Sequence, residues 1–155
     1  QPGGLVQYQP FVPADRAAEV FANILRACQR AGLPSYLGVT KRHRPDSFLL
    51  SHAVDGFSFA LDFAVTRRNR PRLWDLLHGL DELVLGAGGR FYFAKDLTLT
   101  SDRVPRIWPA AALAEFARLK HRWDPEGLLA SDLMRRLELP SGPGGSATDS
   151  QDPRS

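Results

Sequence analysis

The stretch from Gly56 to Ala64 constrains this chain more than any other, because Phe57, Phe59, Leu61 and Phe63 alternate strictly with Ser58, Ala60 and Asp62. Successive side chains of a strand point to opposite faces, so the pattern fits a β-strand with one greasy face and one small or polar face. The four large residues must meet a layer of helices, which turns Ser58, Ala60 and Asp62 together onto the other face of the sheet. A carboxylate in mid-strand is costly to cover without a partner or a ligand. That polar face is the candidate site, against the simpler alternative of a solvated surface carrying one routine charge.

The flanking segments predict the rest of the frame. Leu5 to Val12 reads as a strand, and Ala17, Val20, Phe21, Ile24, Leu25 and Cys28 then form one stripe of an amphipathic helix ending at Gly32. Ser35 to Lys41 is a second strand, followed by a charged turn from Arg42 to Asp46 and a brief pairing segment at Phe48 to Leu50. A second helix is expected from Pro71 to Leu85, closed by Gly86, Gly88 and Gly89, and Arg90 to Ala94 gives a fourth strand. The order β-α-β-β-α-β predicts an α+β fold of ferredoxin-like type, an antiparallel sheet with two helices on one face. C-terminal helices are expected at Ser101–Ile107, Ala110–Trp123 and Ser131–Leu137. Residues 1–139 thus read as one domain, and 140–155, rich in Pro, Gly, Ser and Asp, as a disordered tail.

Composition narrows the function classes. A chain of 155 residues that is 43% hydrophobic can bury a genuine core. A net charge of +3 invites a nucleic-acid reading. The arginines, however, are scattered and often neighboured by acids, as in Asp15-Arg16 and Asp102-Arg103, so no nucleic-acid partner is expected. No apolar run is long enough to span a bilayer and no leader pattern opens the chain, so a cytoplasmic location is the expectation. Cys28 is the only cysteine and reads as a small buried hydrophobe. The four histidines lack metal-binding spacing, and no metal is expected. The chain opens Gln1-Pro2-Gly3-Gly4 and its only methionine is Met134, so further protein is expected upstream.

Lysine is rare here: three lysines stand against seventeen arginines. Lys95, at the mouth of the fourth strand, therefore suggests a role for a compact point charge, unless it merely snorkels with its stem on Phe93. Lys41 ends the second strand in the same way. Gln7 and Gln9 place two amides on one face of the first strand, suited to a hydroxyl-rich ligand. Strand parity would put Lys95 on the face of Phe91 and Phe93, so a bend near Ala94 must intervene.

Five stretches then carry a resemblance in one order with compatible spacing. They are Gln7-Tyr8-Gln9, Lys41, the strand from Gly56 to Asp62, Gly89-Arg90-Phe91-Tyr92-Phe93-Ala94-Lys95-Asp96, and Trp123-Asp124-Pro125 with Ser131 to Leu137. Together they resemble the C-terminal substrate-binding domain of FAD-linked oxidases of the vanillyl-alcohol oxidase family, most of all its decaprenylphosphoryl-ribose oxidase branch. The resemblance implies FAD held mainly by a separate N-terminal domain that is absent from this chain. It implies Lys95 near flavin and substrate, Tyr92 lining the flavin site, and Gln7, Gln9, Lys41, Ser58, Ala60 and Asp62 bordering the substrate pocket. Oxidation of an alcohol carbon sends a hydride to flavin N5, and a fixed ammonium at Lys95 or Lys41 would stabilise the charge that develops. Asp62, a deprotonated lysine or water could each accept the hydroxyl proton. Oxidases of that branch carry cysteine and asparagine where this chain has Ala60 and Ser58, so a lipid-linked pentose does not follow and another sugar, polyol or secondary alcohol is equally expected. The competing class is a free-standing ferredoxin-like interaction module without catalysis.

Overall fold

A computed structural model describes residues 4–139. Its sheet is organised around β4 (Gly56–Ala64), and β3 (Leu37–His43) runs antiparallel along one side of it. Along the other side lie β1 (Leu5–Tyr8) and β2 (Pro10–Pro13), both antiparallel to β4. These two pieces pass β4 at a single register, with Tyr8 opposite Leu61 and Phe11 opposite Ser58. The interruption falls at Gln9 beside Pro10, which has no amide hydrogen for the ladder. A short β5 (Arg90–Phe91) pairs with β2. Taking β1 and β2 as the first strand, the spatial order is fourth, first, third, second, the ferredoxin-like plan expected from the sequence.

Helices α1 (Ala14–Ala31) and α2 (Arg70–Gly86) cover one face. From α1, Ala17, Val20, Ile24 and Cys28 pack with Leu73, Leu77, Leu80 and Val84 of α2 against Val6, Tyr8, Phe59, Leu61 and Phe63. Every sheet residue in that set belongs to the face that the alternation of β4 assigned to the core. The chain then continues through α3 (Val104–Ile107), α4 (Ala110–Trp123) and α5 (Asp132–Arg136). Leu99, Val104, Ile107, Trp108 and Leu137 join the same core. Among the described residues no helix is long and apolar enough to cross a membrane. The expected tail from 140 to 155 lies outside the described residues.

Three expectations are corrected. The second strand begins at Leu37 rather than Ser35, because the Ser35 hydroxyl accepts from Asp62 N at 2.9 Å and donates to the chain itself in place of a ladder bond. Phe48 to Leu50 forms no strand, since Asp46 captures Phe48 N at 3.0 Å and the Ser51 hydroxyl at 2.8 Å in a local turn. The fourth strand stops at Phe91, and Phe93–Lys95 form a turn of 3₁₀ helix.

Two glycines permit the backbone to close up. A Cβ on Gly56 would lie 2.0 Å from the carbonyl oxygen of Val12, and one on Gly89 would lie 2.7 Å from that of Phe11. Gly56→Ala is therefore expected to destabilise the domain by roughly 1–3 kcal/mol, as forced overpacking does. Urea unfolding measures it, and a change below about 0.5 kcal/mol, as for an ordinary surface substitution, would contradict the packing described.

Candidate functional site

Residues paired across an antiparallel ladder share a face, so the register defines the front of the sheet. Gln7 and Leu37 flank Asp62, Val39 stands beside Ala60, and Phe11 and Lys41 flank Ser58. Gln9 follows Gln7 by two residues and shares this face. Gln7 Nε2 donates to Asp62 Oδ1 at 2.7 Å, giving the mid-strand carboxylate its partner. Gln9 Nε2 donates to Ser58 Oγ at 3.3 Å, and His43 Nε2 lies 2.8 Å from the same hydroxyl. Ser58 is fully buried, its hydroxyl held between Gln9 and His43. Ala60 is half-buried, and Lys41 is exposed.

Half of this front is roofed by the chain itself. Phe11 is 1% exposed although it faces away from the helices. His43 and His52 cover it, with ring centroids 4.8 and 4.5 Å away, and His52 in turn stacks on Tyr92 at 4.6 Å. Arg90 Nη1 and Trp108 Nε1 both donate to the carbonyl of Ser51, at 3.0 and 3.1 Å, fixing the segment that carries His52. Burial lowers the pKa of both imidazoles, and for His43 the charges of His52, Lys41 and Arg42 lower it further. Both rings are therefore neutral near pH 7.

The other half is open. Because β5 ends at Phe91, β1 has no strand on its outer side among the described residues, and a hollow lies along that edge. Gln7, Gln9, Tyr92 and Lys95 line it together with Leu97 and, from the helix-covered side of the edge, Val6, Tyr8 and Leu77. Its empty volume is about 260 Å³ including space open to solvent, so it is a shallow hollow and not a closed cavity. By itself it cannot enclose a small molecule. The 3₁₀ turn at Phe93–Lys95, closed by Lys95 N donating to Tyr92 O at 2.9 Å, is the bend that strand parity required. Of the residues singled out in the sequence, Gln7, Gln9, Tyr92 and Lys95 thus meet in one place. Asp62 and Ser58 join them through the two glutamines, and Lys41 does not line the hollow.

Under this edge lies a buried polar cluster that the sequence reading missed. Asp81 of α2 is fully buried, 2.6 Å from Arg103 Nη1, 3.5 Å from the Thr98 hydroxyl and 3.9 Å from His78 Nδ1. Arg103 Nε also lies 3.1 Å from Glu82 Oε1. Burial pushes the Asp81 carboxyl up to about 7, against the opposing pull of Arg103. The Tyr8 phenol is raised by burial and then by Asp81, and its hydroxyl has no partner in full hydrogen-bond geometry. The available signal was helical phase, since Asp81 occupies the apolar stripe of Leu77, Leu80 and Val84. Among the described residues no group of three or more His, Cys, Asp or Glu could hold a metal ion.

Asp81 gives a pH signature. Its folded-state pKa is raised from 3.8 to about 7, so its stability contribution is full below 3.8 and is lost as pH rises through about 7. Urea unfolding at about pH 5 and about pH 8 should show this falling component in the native chain and its loss in Asp81→Asn. Identical pH slopes for the two proteins would contradict a carboxyl raised by burial there.

No protein-family model matches the chain. It is 36% identical over 137 residues to decaprenylphosphoryl-beta-D-ribose oxidase of Mycolicibacterium smegmatis, an alignment covering 88% of this chain and 28% of that protein. It is also 30% identical over 122 residues to an uncharacterized protein in the mprA 5'region of Streptomyces coelicolor, covering 78% of this chain and 32% of that one. The chain spans less than a third of the length of either relative. The similarity to an oxidase over most of this chain bears out the resemblance carried by the sequence motifs.

Proposed function

We propose that this chain, a relative of the FAD-linked oxidases, is the substrate-binding domain of an FAD-dependent oxidoreductase that acts on the CH–OH carbon of a sugar- or polyol-like substrate. The observation that carries this reading is the half-site at the edge of β1. There Lys95, Gln7, Gln9 and Tyr92 converge on a hollow too shallow to hold a ligand alone. Such a surface suits a ligand enclosed between this domain and a second one, the FAD-binding domain of the same protein. Leu5, Leu37 and Leu97, each more than half exposed, lie on or beside the open half, an apolar surface of the kind that marks an interface.

The residues present fit one face of a flavin ring rather than a whole cofactor. Tyr92 would line the ring and Lys95 would place an ammonium beside it. When bound, FAD supplies the two-electron acceptor, taking the hydride at N5. Lys95 offers fixed positive charge where negative charge accumulates, which lowers the barrier electrostatically. Each glutamine spends its amide nitrogen on the sheet, leaving its carbonyl oxygen to accept from substrate hydroxyls. Ala60 leaves room between them. Asp62 has one oxygen engaged by Gln7, and the other would accept the hydroxyl proton as the alcohol becomes a carbonyl. Lys41 adds positive charge to the same face beyond the hollow.

The protein expressed with its upstream sequence is expected to purify yellow and to be reduced by one or more members of a sugar and polyol panel. Lys95→Met should slow that reduction by about 10²–10³-fold, the loss typical of one electrostatic stabiliser. A colourless protein, or one reduced at the native rate after the substitution, would contradict the reading.

A further inference from the structure

Lys95 is exposed, and among the described residues no ion pair or side-chain hydrogen bond holds its ammonium. Its position is therefore set by the backbone turn that carries it. That turn is only three residues long: Lys95 N donates to Tyr92 O at 2.9 Å, while Asp96 N reaches Phe93 O only at 3.4 Å. What fastens its C-terminal end comes from far along the chain. The Asp96 carboxylate, whose side chain is 3% exposed, accepts from Thr98 N at 3.2 Å and Leu99 N at 3.1 Å through Oδ1. Its Oδ2 accepts from Arg136 Nη2 at 2.8 Å. The same guanidinium also donates to the carbonyl of Asp96 at 3.1 Å and to the carbonyl of Leu99. One side chain at the end of α5 thus ties a carboxylate and two main-chain carbonyls across the residues that follow Lys95.

We infer that Arg136 is the positioning residue for Lys95, holding the turn so that the ammonium stays in the hollow. The inference rests on the reading above, in which Lys95 acts on the reaction. The planar fork of a guanidinium can satisfy several acceptors at once, which a lysine ammonium on a flexible stem does less well. Removing it leaves a buried carboxylate without its cation and two carbonyls without their donor, a local loss that the turn absorbs by loosening. The anchoring of α5 does not depend on Arg136. Leu137 is 1% exposed in the core, and the Ser131 hydroxyl caps the helix by accepting from Met134 N at 3.2 Å. The domain should therefore remain folded without the guanidinium.

The test uses the full-length protein with Arg136→Gln, Arg136→Lys, Lys95→Met and the double variant. Hydrogen exchange at Thr98 and Leu99 should speed up about tenfold or more in Arg136→Gln, as loss of a charge-assisted bond implies, while β4 amides keep their protection. Flavin reduction should slow at saturating substrate with KM little changed, and Arg136→Lys should recover only part of the rate. In a Lys95→Met background, Arg136→Gln should have no further effect, because it acts only through Lys95. Unchanged exchange at residues 98 and 99, or a full additional loss of rate in the double variant, would overturn the inference. A colourless or Lys95-insensitive protein would instead defeat the reading of Lys95, and the exchange result alone would then decide whether Arg136 fastens the turn.

Discussion

Burial of Phe59, Leu61 and Phe63 beneath α1 and α2 is the interaction on which the other placements depend. A strand has only two faces, so committing these side chains to the core commits Ser58, Ala60 and Asp62 to the opposite side. The register with β1, β2 and β3 then brings Gln7, Gln9, Phe11 and Lys41 to the same side without any choice left to the individual residues. A slip of one residue would invert every one of these positions and bury a carboxylate among the helices, which is why the pattern is so restrictive.

The open half of that front exists because the sheet is incomplete at one edge. β5 is two residues long and pairs only with β2, so the outer side of β1 is left facing the turn that carries Lys95. The two halves of the front differ in their chemistry. Where His43, His52 and Tyr92 stack around Phe11, the surface is closed, aromatic and uncharged near neutral pH. Where Gln7, Asp62 and Lys95 lie, it is polar, charged and shallow, bordered by exposed leucines.

Local patterning made much of this legible in the sequence. The bounds of β4 agree with the alternation, because there burial and propensity act in the same direction. The parity conflict at Lys95 correctly demanded a bend, although Phe91, Tyr92 and Phe93 look like one uninterrupted apolar strand. Beyond that strand the chain is fastened by Asp96 and Arg136, a contact forty positions long that no local pattern encodes. His52 was equally hidden, since its stacking depends on how a loop folds back over the sheet. Asp81 was readable, because an acid on an apolar helical stripe requires a buried partner, and Arg103 is that partner.

The proposed function requires the polar front beside β1, and not the helix-covered back, to meet the cofactor and substrate. A crystal structure of the full-length protein in its flavin-bound form tests it most directly. The isoalloxazine ring is expected over the edge of β1, with Tyr92 against it and the Lys95 ammonium within hydrogen-bonding reach. A ring seated elsewhere, with Lys95 pointing into solvent, would contradict it.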